Sequence, residues 1–249
     1  MGWHCKASGG YTTSTPVYNY PDADGLENCD QIYYILKGYN WTTNAICGVI
    51  TCMAFESGYN PWRWEGSIIP TTSNYTGSTG NKGYGLVQWT PGSYLNTINY
   101  HKNKYIDNPW TTGQPGYAPN FANQTGGIYD GYAQTVFLAT HAWSIDGVNK
   151  DYYEYSSSNY YSHLAPNFTD YIASTAAASD LCETWVYNFE RPSNPTANRT
   201  YRQALAAELY NHYNGKPVLP PDTPGGSGTF PVWLLFKMKE NNFGKGGLL

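Results

Sequence analysis

Asn44-Ala45-Ile46-Cys47-Gly48-Val49-Ile50-Thr51-Cys52-Met53-Ala54-Phe55-Glu56-Ser57-Gly58-Tyr59-Asn60-Pro61 is the stretch on which the fold turns. Residues 45–56 are apolar on nearly every side, which predicts a central buried helix rather than a surface one. Thr42, Thr43 and Asn44 offer an N-cap, and Gly58 offers the C-terminal stop. A single carboxyl, Glu56, closes this helix. An acid placed there loses part of its hydration, which raises its pKa and keeps it protonated near neutrality. A proton donor for glycoside cleavage has that requirement. The same position also suits an exposed last-turn glutamate with no chemical role.

Working outward, residues 1–25 are rich in Gly, Thr, Pro and Tyr and predict an irregular arm. Residues 26–38 carry Ile32, Ile35 and Leu36 at helical spacing, with Gly38 as the stop. After Gly58 the chain is dense in Gly, Asn, Pro and Thr up to residue 92. Short strands or loops fit there, residues 84–89 being the most strand-like piece. Further helices are expected from about residue 93, over 134–143, over 174–189 and over 197–213. Residues 26–213 therefore form the expected domain. A Pro/Gly linker follows over 214–229. Last comes an apolar and basic segment over 230–249, which opens Phe230-Pro231-Val232-Trp233-Leu234-Leu235-Phe236. That segment suits docking onto another protein subunit, contact with a membrane interface or packing on its own domain.

Composition narrows the function classes. Charged residues make up only 13% of the 249, so solubility rests on Asn, Thr, Ser, Gly and Tyr. The chain holds 25 Tyr and 9 Trp, and such rings stack on sugars while their polar edges bond hydroxyls. Aromatic-rich, charge-poor chains also occur among robust virion proteins that bind no sugar. The net charge of −4 is spread without a basic patch, which argues against a nucleic-acid partner. Cys5, Cys29, Cys47, Cys52 and Cys182 are odd in number and contain no CxxC pair, so they are expected to be small buried residues assembled in a reducing cytoplasm. His4, His101, His141, His163 and His212 lack paired ligand spacing, so no metal and no cofactor is expected. No apolar run reaches membrane-spanning length, and the first ten residues contain no leader-like apolar core. A thiol peptidase built on Cys52 is the weakest chemical reading, and no Gly-x-Ser-x-Gly elbow is present.

Two motifs sharpen the picture. Phe55-Glu56-Ser57-Gly58-Tyr59-Asn60-Pro61 is followed by Gly83-Tyr84-Gly85-Leu86-Val87-Gln88-Trp89-Thr90-Pro91. The pair resembles the lysozyme-like superfamily of lytic transglycosylases and goose-type lysozymes. With Asn44-Ala45-Ile46-Cys47-Gly48 before it and Tyr187-Asn188-Phe189-Glu190-Arg191-Pro192 after it, the order is more similar to the phage tail lysozyme family. Arg202, Ala206 and Tyr210 on the last helix extend the resemblance, which covers roughly residues 28–213. It implies a mainly α (α+β), lysozyme-like fold in which a small β or loop region forms one wall of a cleft.

The resemblance also implies roles. Glu56 would be the proton donor, and Gln88 would bond the sugar, or else satisfy local backbone. Tyr84, Trp89 and Trp62 would line the cleft, or else fill the core. Ser57 would touch substrate or cap its own helix. Glu190 would hold substrate or orient water, or else form a buried ion pair with Arg191 that fixes the last helix. Glu65, Asp22, Asp146 and Glu190 all qualify by type as a second carboxylate. The implied activity is cleavage of peptidoglycan between N-acetylmuramic acid and N-acetylglucosamine, as a glycoside hydrolase or a lytic transglycosylase. The implied setting is a phage tail tip, with other tail proteins as partners. The alternatives are a catalytically silent tail-knob subunit and a peptidoglycan amidase or endopeptidase.

Overall fold

The computed structural model describes residues 20–61, 63, 83, 85–88, 128–139, 153–155 and 159–216. In chain order its elements are α1 (Ala23–Gly38), α2 (Thr43–Ser57), α3 (Ile128–Ala139), α4 (Tyr160–His163), α5 (Phe168–Ala173), α6 (Ala178–Trp185) and α7 (Arg199–Tyr213). α6 runs on into a π-helical turn, Val186–Glu190. Among the described residues no strand occurs. The architecture is mainly α, as expected.

α2 sits at the centre, as its composition requires. Ala45 through Met53 are all buried, and each fully buried aliphatic side chain there stabilises the fold by about 1.5–3 kcal/mol. Thr42 is the N-cap, its hydroxyl accepting from the Ala45 N–H at 3.2 Å. Gly58 ends the helix in the left-handed region at φ 62°, where a glycine carries no Cβ penalty. α1, α5, α6 and α7 all pack on α2, and α3 packs on α1. α7 is held to α1 by Tyr33 and Tyr213, whose rings stack at 4.3 Å.

The direction of the α2–α6 pairing matters for everything that follows. Asn44 Nδ2 donates to the Ala176 carbonyl at 2.9 Å. One turn on, a Cβ placed on Gly48 would lie 2.8 Å from Tyr171 Oη, 3.0 Å from Cys182 N and 3.1 Å from Leu181 C. Only a glycine lets the two backbones come that close. Further on, the Cys52 thiol donates to the Cys182 carbonyl at 3.4 Å. Both chains advance in the same sense along this contact, so the C-terminal ends of the two helices emerge side by side.

Several expectations need correcting. The helix expected over 174–189 starts four residues later, at Ala178, because Ser174 (ψ 139°) and Ala177 (ψ 138°) are extended. α1 begins at Ala23, inside the expected arm, since Asp22 caps it by accepting from the Gly25 N–H at 2.9 Å. The strand-like piece proves to be a turn over residues 85–88. The helix near residue 93, the end of the 134–143 helix, the linker and the apolar tail lie outside the described residues, apart from residues 214–216.

Candidate active site

α2 delivers Glu56 to its last turn, half-buried. Behind it the backbone makes a strained exit. Gly58 and then Tyr59 (φ 63°) both adopt left-handed geometry, which costs a non-glycine residue on the order of 1 kcal/mol. Tyr59 is held there by burial and by Asn28 of α1, whose amide donates to the Tyr59 carbonyl at 2.9 Å.

Next to this exit lies the 85–88 turn, fixed by three side chains. The hydroxyl of Ser57 is 3.0 Å from both the Met53 and the Leu86 carbonyl oxygens. Its one proton serves either, and the residue is only 1% exposed. Of the two roles weighed for Ser57, this geometry supports the structural one. Gln88 (φ 51°) folds back so that its amide donates to the carbonyls of Arg63 at 3.1 Å and Gly85 at 3.0 Å. The amide nitrogen thus satisfies local backbone.

Gln134 of α3 was missed by the sequence reading. Its Oε1 accepts from the Leu86 N–H at 2.8 Å and its Nε2 donates to the Pro61 carbonyl at 2.6 Å. One buried amide therefore joins the exit of α2 to the turn. The signal was present, as an amide side chain at the start of an apolar helical run. Gly85, at φ +79°, presses against it: a Cβ there would meet Gln134 Oε1 at 2.1 Å.

The second carboxyl near Glu56 is Glu190. The π-helical turn Val186–Glu190 is closed by the Arg191 N–H donating to the Val186 carbonyl at 2.7 Å. Within that wide turn the Trp185 indole N–H donates to Glu190 Oε1 at 2.9 Å. Burial of the carboxyl, the nearby Glu56 charge and, in opposition, the Trp185 hydrogen bond act on Glu190 together. The net effect holds its pKa well above the usual carboxylate value.

The expected Glu190–Arg191 ion pair is not what forms. Arg191, left-handed at φ 48°, turns outward to Glu154. The buried ion pair lies further back, at Glu183, which is fully buried. Arg202 grips both its oxygens, Nε to Oε1 at 2.7 Å and NH2 to Oε2 at 2.9 Å, and Arg199 Nε reaches Oε2 at 3.1 Å. Arg202 also donates to the Pro195 carbonyl at 2.8 Å and stands 5.9 Å from the Phe55 ring. It ties the 192–198 loop and α7 to the residue beside Glu56.

Asp22 is committed to its helix cap, and Tyr84, Trp89, Trp62, Glu65 and Asp146 lie outside the described residues. Cys29, Cys47, Cys52 and Cys182 are buried free thiols. Burial pushes the Cys47 thiol up to about 12 and raises those of Cys52 and Cys182 as well. A neutral, enclosed thiol is a poor nucleophile, which removes the Cys52 peptidase reading.

The model of one family, described as phage tail lysozyme, matches residues 27–213. Morphogenesis protein 1 of Bacillus phage B103 is 26% identical over 189 residues, which cover 76% of this chain and 40% of that protein. The chain thus spans well under half the length of this curated relative.

Proposed function

We infer the chemistry from one premise: the chain belongs to the phage tail lysozyme family. It cuts the glycan strand of peptidoglycan between N-acetylmuramic acid and N-acetylglucosamine. Glu56 is the proton donor to the glycosidic oxygen. The observation that carries this reading is the placement of Glu56. It stands half-buried at the end of the central helix, one residue before Ser57, which bonds the Leu86 carbonyl of the Gly85–Gln88 turn.

The steps follow from those groups. Protonated Glu56 donates to the bridging oxygen as the C1–O bond breaks, and the bond's electron pair leaves with that oxygen. Positive charge then builds at C1 and the ring oxygen, where nearby carboxylate charge stabilises it. Water, or the sugar's own 6-hydroxyl, adds to C1 and returns a proton to the carboxyl. The first route gives a reducing end and the second an anhydro end. Gln88, with Tyr84, Trp89 and Trp62, would hold the sugars. In its setting the protein is a component of a phage tail tip that opens the host wall locally. The apolar segment over 230–249 docks it onto other tail proteins, with membrane contact the weaker reading.

Mass spectrometry of fragments released from purified walls tests this. Sugar-bond ends, lost in Glu56→Gln, are the expected outcome. Peptide-bond ends would assign the protein to the amidase or endopeptidase class. No release by the native chain would leave a silent tail subunit.

A further inference from the structure

One buried amide reaches both segments that flank the end of α2. Gln134 is 1% exposed, and a buried amide is costly unless its oxygen and its nitrogen both find partners. A methionine would fill the same space in α3 without that cost. Yet both bonds of Gln134 leave α3, and neither goes to α1, the helix on which α3 packs. Oε1 accepts from the Leu86 N–H at 2.8 Å, and Nε2 donates to the Pro61 carbonyl at 2.6 Å. Gly85 closes on the same side chain so tightly that a Cβ would lie 2.1 Å from Oε1.

The two gripped segments are also joined to each other. The Arg63 carbonyl accepts from the Gly85 N–H at 2.8 Å and from the Gln88 amide at 3.1 Å. Ser57, the residue after Glu56, lies 3.0 Å from the Leu86 carbonyl oxygen. Leu86 is therefore held at its carbonyl by the helix end that bears Glu56, and at its N–H by α3. A turn held along one edge alone can pivot about that edge. A grip from a third element stops the pivot.

We propose that Gln134 is a positioning residue for substrate: by gripping Leu86 and Pro61 together it holds the Gly85–Gln88 turn, one wall of the glycan cleft, in register with the α2 end that carries Glu56. This deepens the reading of Glu56 as proton donor and rests on it. A sugar chain binds productively only while wall and acid keep their spacing. Without Gln134 the turn samples positions that do not bind. Apparent affinity then falls in proportion to the fraction of molecules that remain competent. Chains that do bind still meet Glu56, so the bond-breaking step changes far less.

The test combines steady-state kinetics of the full chain on soluble, peptide-free glycan strands of peptidoglycan with amide hydrogen exchange read by NMR. Gln134→Met keeps the length of the side chain and removes both bonds. Its KM is expected to rise about tenfold, with kcat within about threefold of native. Protection of the Leu86 amide should fall while the amides of α2 keep theirs. Gly85→Ala disturbs the same turn, so the double variant should raise KM by less than the product of the two single effects. Thr42→Ala weakens the fold from the other end of α2 and supplies the contrast. It should leave KM unchanged, alone or added to Gln134→Met. Should Gln134→Met melt below the assay temperature, Gln134→Glu takes its place, since it keeps the acceptor for Leu86 and loses the donor to Pro61. A native KM in a folded variant overturns the proposal, and so does full protection of the Leu86 amide. A native chain that releases no glycan fragments, or full activity in Glu56→Gln, overturns instead the reading beneath it, so the two failures are distinguishable.

Discussion

Glu183 and Glu190 lie on one continuous helical segment, yet they are treated in opposite ways. Glu183 is fully buried and gripped by two guanidinium groups. Glu190 keeps some exposure, accepts one indole N–H, and has another carboxyl for its charged neighbour. The first arrangement neutralises a charge that the core would otherwise reject. The second leaves a charge poorly tolerated, so Glu190 holds its proton more tightly than an ordinary carboxylate. Burial alone does not decide how an acid behaves; the sign of its neighbours does.

The comparison can be tested hardest at Glu56. Glu56→Gln should lower wall lysis by on the order of 10²–10⁴-fold, the usual contribution of a general acid, without lowering the melting temperature. Turbidity clearance and a thermal melt read the two quantities. Glu183→Ala should do the reverse. Stranding Arg202 without its partner should cost about 3–5 kcal/mol in denaturant unfolding, with activity lost only as the fold is lost. Equal effects of both variants on activity and stability would erase the distinction. Gly85→Ala comes next, because it forces a Cβ into Gln134 at a positive φ. It should cost roughly 1–3 kcal/mol and weaken lysis by displacing the 85–88 turn, a change read as a raised KM. The smallest effect is expected at Thr42→Ala, about 1 kcal/mol of stability from the lost helix cap. Its catalytic rate should be unchanged at temperatures well below melting.

What the sequence made legible follows the range over which each interaction acts. The central helix, its Thr42 cap and its Gly58 stop are decided within a few residues, and the reading placed all three. The position of Glu56 came with them. The 85–88 piece was misjudged because Leu86 and Val87 look like strand residues. Their turn is stabilised from 48 residues away, by Gln134 on Leu86. The Glu190–Arg191 pairing was misjudged because adjacency suggested contact, whereas the wide turn sends the two side chains to opposite sides. Of the candidates for a second carboxylate, only Glu190 is brought toward Glu56 among the described residues. That depends on helix pairing, which no local pattern encodes.

The widened turn at Val186–Glu190 also limits how the chain can vary in length. An α-helix advances about 100° around its axis per residue. The wide turn already absorbs one extra residue, so removing one there would close the segment at ordinary pitch with Glu190 at nearly the same angle. Removing one from the α-helical part before it, Ala178–Trp185, would instead swing Glu190 by about a quarter of a revolution. Single-residue deletions should therefore be tolerated in the turn and disruptive just before it, which makes the turn a buffer of chain length.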